Sequence, residues 1–279
     1  MITDKETNTL YLSSLLKEKY PQFHQCLAYK LESAGIPINY LKNTKDIWCR
    51  DYMPIQTNAD SFVQFMYNPS YLRDRKYKAL KTTPKDVWEE LKLNVHECDI
   101  VLDGGNVVKW NDKVIITDRV LRDNADLSEY SIYSGIKTNL GVNELFVIPE
   151  LKGEMTGHCD GIVRFIDSDR LLLNDFMKID KYYAQRLKMT LFSSGFYLVE
   201  IPNEFEKVEN GYSDATGDYI NFLEMKGFVL IPAYGSEMDE IVLMKYKEIF
   251  KNSIVENIDC REIAKEGGVL NCISWTINS

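Results

Sequence analysis

The chain has 279 residues and a mass of 32.4 kDa, with 45 % apolar and 27 % charged residues. That composition excludes collagen-like, long disordered and disulfide-dense miniature proteins. Lys and Arg number 33 against 42 Asp and Glu, a formal charge of −9; the balance disfavours nucleic acid, which needs clustered Lys and Arg, and mildly favours small cationic partners.

No linker interrupts the chain, and its elements recur. In chain order, Arg50-Asp51 precedes a loose hairpin over residues 52–67. Asp103-Gly104-Gly105 precedes a tight hairpin, strands 106–110 and 113–117 about the Asn111-Asp112 turn. Gly157-His158-Cys159-Asp160 precedes a second, strands 162–166 and 171–173 about residues 167–170. A helix is expected over 180–193 and a strand over 196–202. Gly217-Asp218 precedes a looser hairpin over 219–234. A helix over 237–252 follows, with Ile241, Leu243, Met244, Tyr246, Ile249 and Phe250 along one broad face, then a strand over 253–258. Glu266-Gly267-Gly268 precedes a half-hairpin over 269–277.

Counted at Asp51, Asp103, His158, Asp218 and Gly267, the polar clusters lie 52, 55, 60 and 49 residues apart. Such a period marks a repeat architecture, here hairpin, helix, strand about five times in a single domain over 1–279. Repeats set around an axis would bring the five clusters to one cavity. The competing reading is that Gly and Asp merely punctuate turns.

The opening Met1 to Glu6 lacks the basic-then-apolar pattern of an export signal, and the densest apolar stretch, 227–234, is too short to span a bilayer. The six cysteines form no C-x-x-C and no zinc-finger spacing with histidine. The expectation is a cytoplasmic protein with reduced thiols, no membrane contact and no metal site.

Three histidines limit the choice of a general base to His24, His96 and His158. His158 and Asp160 stand two apart, so on a strand they share a face. A surface turn explains them equally. Cys272 is a nucleophile candidate or an inert small core residue.

Together these segments resemble the guanidine-modifying superfamily, closest to the agmatine deiminase and bacterial peptidylarginine deiminase family. The resemblance is carried by Trp48-x-Arg50-Asp51-x-x-Pro54, Asp103-Gly104-Gly105-Asn106, Gly157-His158-x-Asp160, Tyr219-x-Asn221-Phe222 and Gly267-Gly268-x-x-x-Cys272-Ile273-Ser274, in the family's order. It implies a five-bladed α/β propeller (a pentein) about a pseudo-five-fold axis. It implies Cys272 as nucleophile, His158 as general acid and base, and Asp51 and Asp160 as the carboxylates that grip a guanidinium. Asn221 belongs to the same centre, with Trp48, Asp103, Gly104 and Gly105 as pocket residues. The implied substrate is agmatine, as in putrescine biosynthesis, or an arginine derivative including an arginyl peptide. No cofactor is implied, and a homo-oligomer is compatible.

The chemistry suits these residue types. A guanidinium is planar and permanently cationic, and carboxylates hold its edges. A thiolate adds to the central carbon, with His158⁺ and the bound cation each expected to lower the Cys272 pKa by its charge. His158 then protonates the departing ammonia, and water hydrolyses the thiouronium ester.

Asn271 stands where the agmatine branch often has His, and Gly267-Gly268-Val269 replaces Gly-Gly-Asn. The resemblance further implies that this chain lacks part of the N-terminal segment that in agmatine deiminases contributes a tryptophan-containing wall, and the expectation is a more open site, or a wall from a partner subunit, suited to a larger substrate. Candidate wall residues are Trp48, Arg119, Arg122, Tyr212 and Trp275. Competing outcomes are an amidinotransferase, a dihydrolase, or a guanidinium-binding protein without turnover. A papain-like peptidase is disfavoured because its cysteine lies near the start of the mature chain.

Overall fold

The computed structural model describes every residue except Lys76, Glu209 and Asn210. Among the described residues the strands form five three-stranded sheets and one two-stranded ribbon. In chain order the strands are β1 (Thr9–Ser13), β2 (Ile38–Leu41), β3 (Ile55–Asn58), β4 (Ser61–Met66), β5 (Val95–Val101), β6 (Val108–Trp110), β7 (Lys113–Thr117) and β8 (Glu144–Ile148). There follow β9 (Val163–Phe165), β10 (Arg170–Asn174), β11 (Tyr197–Ile201), β12 (Lys207–Val208), β13 (Gly211–Tyr212), β14 (Leu223–Met225), β15 (Phe228–Ala233), β16 (Ile254–Asp259) and β17 (Trp275–Ile277).

One plan recurs in the sheets β3-β4-β5, β6-β7-β8, β9-β10-β11 and β14-β15-β16. The first two strands are antiparallel and the third runs parallel to the second. A hairpin joins the first pair, whereas the parallel strand needs a crossover, and helices occupy it. In the tight β6–β7 turn Asn111 has φ 49°, a left-handed conformation that asparagine tolerates. The half-hairpin at the end of the chain is completed from the other end: β17 pairs antiparallel with β1, and β1 runs parallel to β2.

The crossover helices form where caps and apolar spacing agree. In Lys181–Ser193, the Asp180 side chain accepts the Tyr183 N–H at 3.0 Å, and Ala184, Leu187 and Leu191 face the core. These three pack with Leu171, Leu173, Phe165 and Phe196, each such side chain contributing roughly 1.5–3 kcal/mol of burial. The helix Met238–Ile249 differs from the sequence expectation in its facing. Val242 and Tyr246 are buried, while Ile241 and Met244 are exposed. Only one narrow side of this helix rests on a sheet, so the apolar residues beyond it reach solvent. The expected strand at 253–258 forms one residue later, as β16. The β12–β13 ribbon has no counterpart in the sequence reading.

A charge cluster ties three of the units to the start of the chain. Asp4 lies in the single turn Asp4–Glu6. Its carboxylate is 2.9 Å from Arg164 of β9, 3.2 Å from Lys109 of β6 and 3.9 Å from Arg50. Burial would raise the Asp4 pKa, but Lys109, Arg50 and Arg164 outweigh it and hold the carboxyl well below the usual range. No helix among the described residues is long and apolar enough to cross a membrane.

Candidate active site

The polar turns seen in the sequence meet. Asp51 sits on the helical turn Cys49–Tyr52, and Asp103 leads the 3-10 turn Gly104–Asn106. That second turn is packed from both sides. A Cβ at Gly104 would lie 2.0 Å from the Arg50 carbonyl oxygen. One at Gly105 would lie 2.5 Å from His158 Nδ1 and 2.6 Å from Asp51 Oδ1. Only glycine lets the backbone come so close. The turn also fixes the next cluster, because the Gly105 carbonyl accepts the Asp160 N–H at 3.1 Å. Asn106 Oδ1 accepts from Thr117, whose hydroxyl donates to the Gly157 carbonyl at 2.7 Å.

His158 is held between two acids. Its Nε2 is hydrogen-bonded to Asp103 Oδ2 at 3.0 Å, and its Nδ1 is 3.5 Å from Asp51 Oδ1. The Tyr71 hydroxyl donates to the same Asp103 oxygen at 2.8 Å. Burial alone would depress the imidazole pKa, but the Asp51 charge and the Asp103 bond and charge reverse this and raise it to about 10. Asp160 adds a smaller push in the same direction. Asp51 is 7 % exposed. Burial pushes its carboxyl well above the ordinary range; His158 opposes this, and neighbouring Asp103 and Asp160 reinforce it.

Cys272 is fixed by Asn221. The Asn221 side-chain oxygen accepts the N–H groups of Asn271 and Cys272 at 3.1 and 3.2 Å, and its Nδ2 donates to the Cys272 sulfur at 3.2 Å. Asp160 Oδ2 lies 3.8 Å from that sulfur and accepts from Asn271 Nδ2 at 2.5 Å. Burial, then Asp160 and Asp51, push the thiol well above its usual pKa, against the Asn221 bond. The expected depression by His158⁺ is not met: the sulfur's polar neighbours are Asn221 and Asp160, and burial followed by the two carboxylates raises the thiol pKa.

Two adjoining cavities of about 280 and 320 Å³ share a wall that includes Met155, Thr156, His158, Gly268 and Cys272. The larger carries Asp51 and an aromatic and aliphatic lining of Trp48, Tyr67, Tyr71, Leu72 and Leu80. The smaller carries Asp160, Asn221, Asp218, Asp214 and Glu154. A Cβ at Gly268 would meet the Trp48 ring at 2.8 Å, so this glycine admits the indole beside Cys272.

Trp48 thus lines a cavity, as does Tyr212. Asp103, Gly104 and Gly105 do not line either cavity: they stand behind His158 and Asp51, as support rather than wall. Trp275 is buried, its indole N–H bonded to the Pro54 carbonyl at 2.8 Å. Arg119 is buried and its donors are taken by Asp123, Met155 and Ser70; Arg122 pairs with Glu150. Neither arginine lines either of these two cavities. His24 bonds Tyr40 away from this site. All six cysteines are free thiols, and among the described residues no cluster of His, Cys, Asp or Glu is placed to hold a metal ion. Sequence reasoning missed Tyr71 and Asn271 as partners of Asp103 and Asp160. Asp218, one of the five polar clusters in the sequence, also lines the smaller cavity.

Comparison with known proteins identifies the fold and the family. A "Putative agmatine deiminase" of Mycoplasma capricolum is 21 % identical over 221 residues, covering 68 % of this chain and 61 % of that protein. The match therefore spans less than two thirds of that relative's length. An agmatine deiminase from C. jejuni shares the fold with a TM-score of 0.80 at 20 % identity, covering 99 % of this chain and 94 % of that one. A putative arginine deiminase from Porphyromonas gingivalis gives 0.81 at 20 % identity, covering 99 % and 97 %. The Porphyromonas-type peptidyl-arginine deiminase family matches residues 2–277, essentially the whole α/β chain, and the protein belongs to it.

Proposed function

We propose that the protein hydrolyses a guanidine C–N bond, giving a ureido product and ammonia, with agmatine or an arginine derivative, including peptidyl-arginine, as substrate. The observation that carries this is the buried cluster of acids about His158 and Cys272. Asp51, Asp103 and Asp160 outnumber the one imidazolium, and Asp51 Oδ1 and Asp103 Oδ1 are buried with no hydrogen-bond donor. A buried acceptor without a donor is costly. A planar cation with edge N–H groups satisfies both the charge and the Asp51 oxygen.

Asp51 and Asp160 then grip the guanidinium, and Asn221 orients the sulfur. The arriving cation reverses the field that keeps Cys272 protonated, so the thiol gives its proton to solvent and the thiolate forms where its target is bound. The sulfur adds to the central carbon. His158, protonated through Asp51 and Asp103, gives its proton to the departing nitrogen, and Cys272 is left as a thiouronium ester. Neutral His158 next takes a proton from water, which attacks the carbon and displaces the sulfur.

The reading extends to architecture. The five like sheets are taken as blades of one domain over 1–279, set about an axis. Support comes from Gln56, Lys109, Arg164, Glu224 and Thr276, polar residues at corresponding places in the first strand of each hairpin, four of them buried.

Agmatine, free arginine and arginyl peptides assayed for ureido product and ammonia test the reading, with Cys272→Ala as control. The variant is expected to lose turnover by at least about 10⁴-fold. Retention of parental activity would remove the nucleophile from the scheme.

A further inference from the structure

A small cavity lies beside the turns that carry Asp51 and Asp103. It measures about 20 Å³, and its lining includes Arg50, Gln56, Gly104, Lys109 and Thr276. It shares no lining residue with the two cavities at Cys272. It backs them nonetheless. Arg50 precedes Asp51, its carbonyl packs against Gly104, and its Nε donates to the Asn271 carbonyl at 3.4 Å.

The polar groups here are short of acceptors. The Arg50 side chain is 11 % exposed and that of Lys109 8 %. Arg50 Nη1 stands 3.9 Å from Asp4, beyond hydrogen-bond distance. Apart from the long bond to Asn271, the Arg50 guanidinium meets no acceptor among the described residues. Lys109 donates to the Ile2 carbonyl at 2.6 Å and to Asp4 at 3.2 Å, which leaves the third of its N–H groups. Thr276 is 5 % exposed, and its hydroxyl has no partner. Buried polar groups left unbonded are costly.

The charges point the same way. Arg50, Lys109 and Arg164 gather around Asp4, and the one further acid is Glu224, which burial pushes up to about 7 against Arg164. Burial lowers the Lys109 pKa, Asp4 opposes this, and Arg50 and Arg164 lower it further. Donors without acceptors beside a net positive charge suit an anion. The volume sets its size. A single water needs ~10–15 Å³, so this cavity holds one particle of about that size, and a tetrahedral oxyanion with its five heavy atoms is too large.

We propose that Arg50, Lys109 and Thr276 form a binding site for one chloride ion, which braces the turns bearing Asp51 and Asp103 from behind. The Arg50 Nη groups, the third Lys109 N–H and the Thr276 hydroxyl donate to it. The inference makes no use of the deimination reading.

Thermal unfolding of the whole chain, followed by circular dichroism while chloride replaces gluconate at fixed ionic strength, tests it with screening held constant. A saturable rise in Tm is expected, about 3 °C at about ten times the half-saturating chloride. Thr276→Val keeps the shape and removes the hydroxyl. In gluconate it is expected to melt no lower than the parent, because the lost hydroxyl had no partner. Its half-saturating chloride is expected to be about tenfold higher, since it lacks one hydrogen bond to a charged ligand. Crystals soaked in bromide are expected to show an anomalous peak between Arg50 and Lys109. Equal Tm in chloride and gluconate, an unchanged chloride dependence in Thr276→Val, or bromide absent from the cavity overturns the inference. A loss of stability in Thr276→Val that is the same in both salts assigns the cavity to water and overturns it as well.

Discussion

The thiol of Cys272 lies among acids that oppose its ionisation, and this governs how it meets a reagent. A neutral alkylating agent encounters mostly protonated sulfur at pH 7, so its rate is expected to keep rising as pH climbs past the ordinary thiol range. A cationic amidine of similar intrinsic reactivity supplies the missing charge. It is expected to label Cys272 at least about tenfold faster at pH 7, after normalisation to free cysteine. Labelling followed by mass spectrometry decides this, and a neutral-reagent rate already at its plateau below pH 7 would contradict it. Cys272, His158, Asp51 and Asp160 were legible because each stands in a short motif whose order matched a family. Tyr71 and Asn271 were not. Their roles depend on which carboxylate oxygen they reach, at 2.8 and 2.5 Å, and nothing in local sequence encodes that.

Among elements, the 3-10 turn Gly104–Asn106 stands out, because three parts of the site rest on it. It places Asp103 on the imidazole, leaves room for Asp51 and His158, and accepts the Asp160 N–H. Gly105→Ala puts a methyl group where His158 Nδ1 and Asp51 Oδ1 now stand. Displacement of reacting groups by about 1 Å costs on the order of 100-fold in rate, and a loss of that size in kcat is expected with the circular dichroism spectrum kept. An alanine variant with full activity would show that the turn does not set the geometry. The two glycines were visible in sequence, but their reason was not: they read as pocket lining and serve as backing. Helix Lys181–Ser193 was legible to within a residue because Asp180 caps it. Helix Met238–Ile249 was found but misfaced, since its apolar residues exceed the width its sheet can cover.

Across the whole molecule, Asp4 answers three cations carried by separate parts of the chain. Asp4→Asn leaves Arg50, Lys109 and Arg164 facing one another, and a destabilisation of about 2–4 kcal/mol is expected in urea denaturation. A change below about 0.5 kcal/mol would show the cluster to be neutral. Because the folded carboxyl is held below its unfolded value, this stabilisation is full above about pH 4 and fades only as pH falls through the lowered value. The repeat itself was legible as a recurrence of polar turns. The partner of the final half-hairpin was not, because periodicity counts along the chain and β17 pairs with β1, from the opposite end of the sequence.

That pairing sets Thr9 beside Ser279, their hydroxyl oxygens 2.6 Å apart, so this one sheet forms only after a loop spanning nearly the whole sequence has closed.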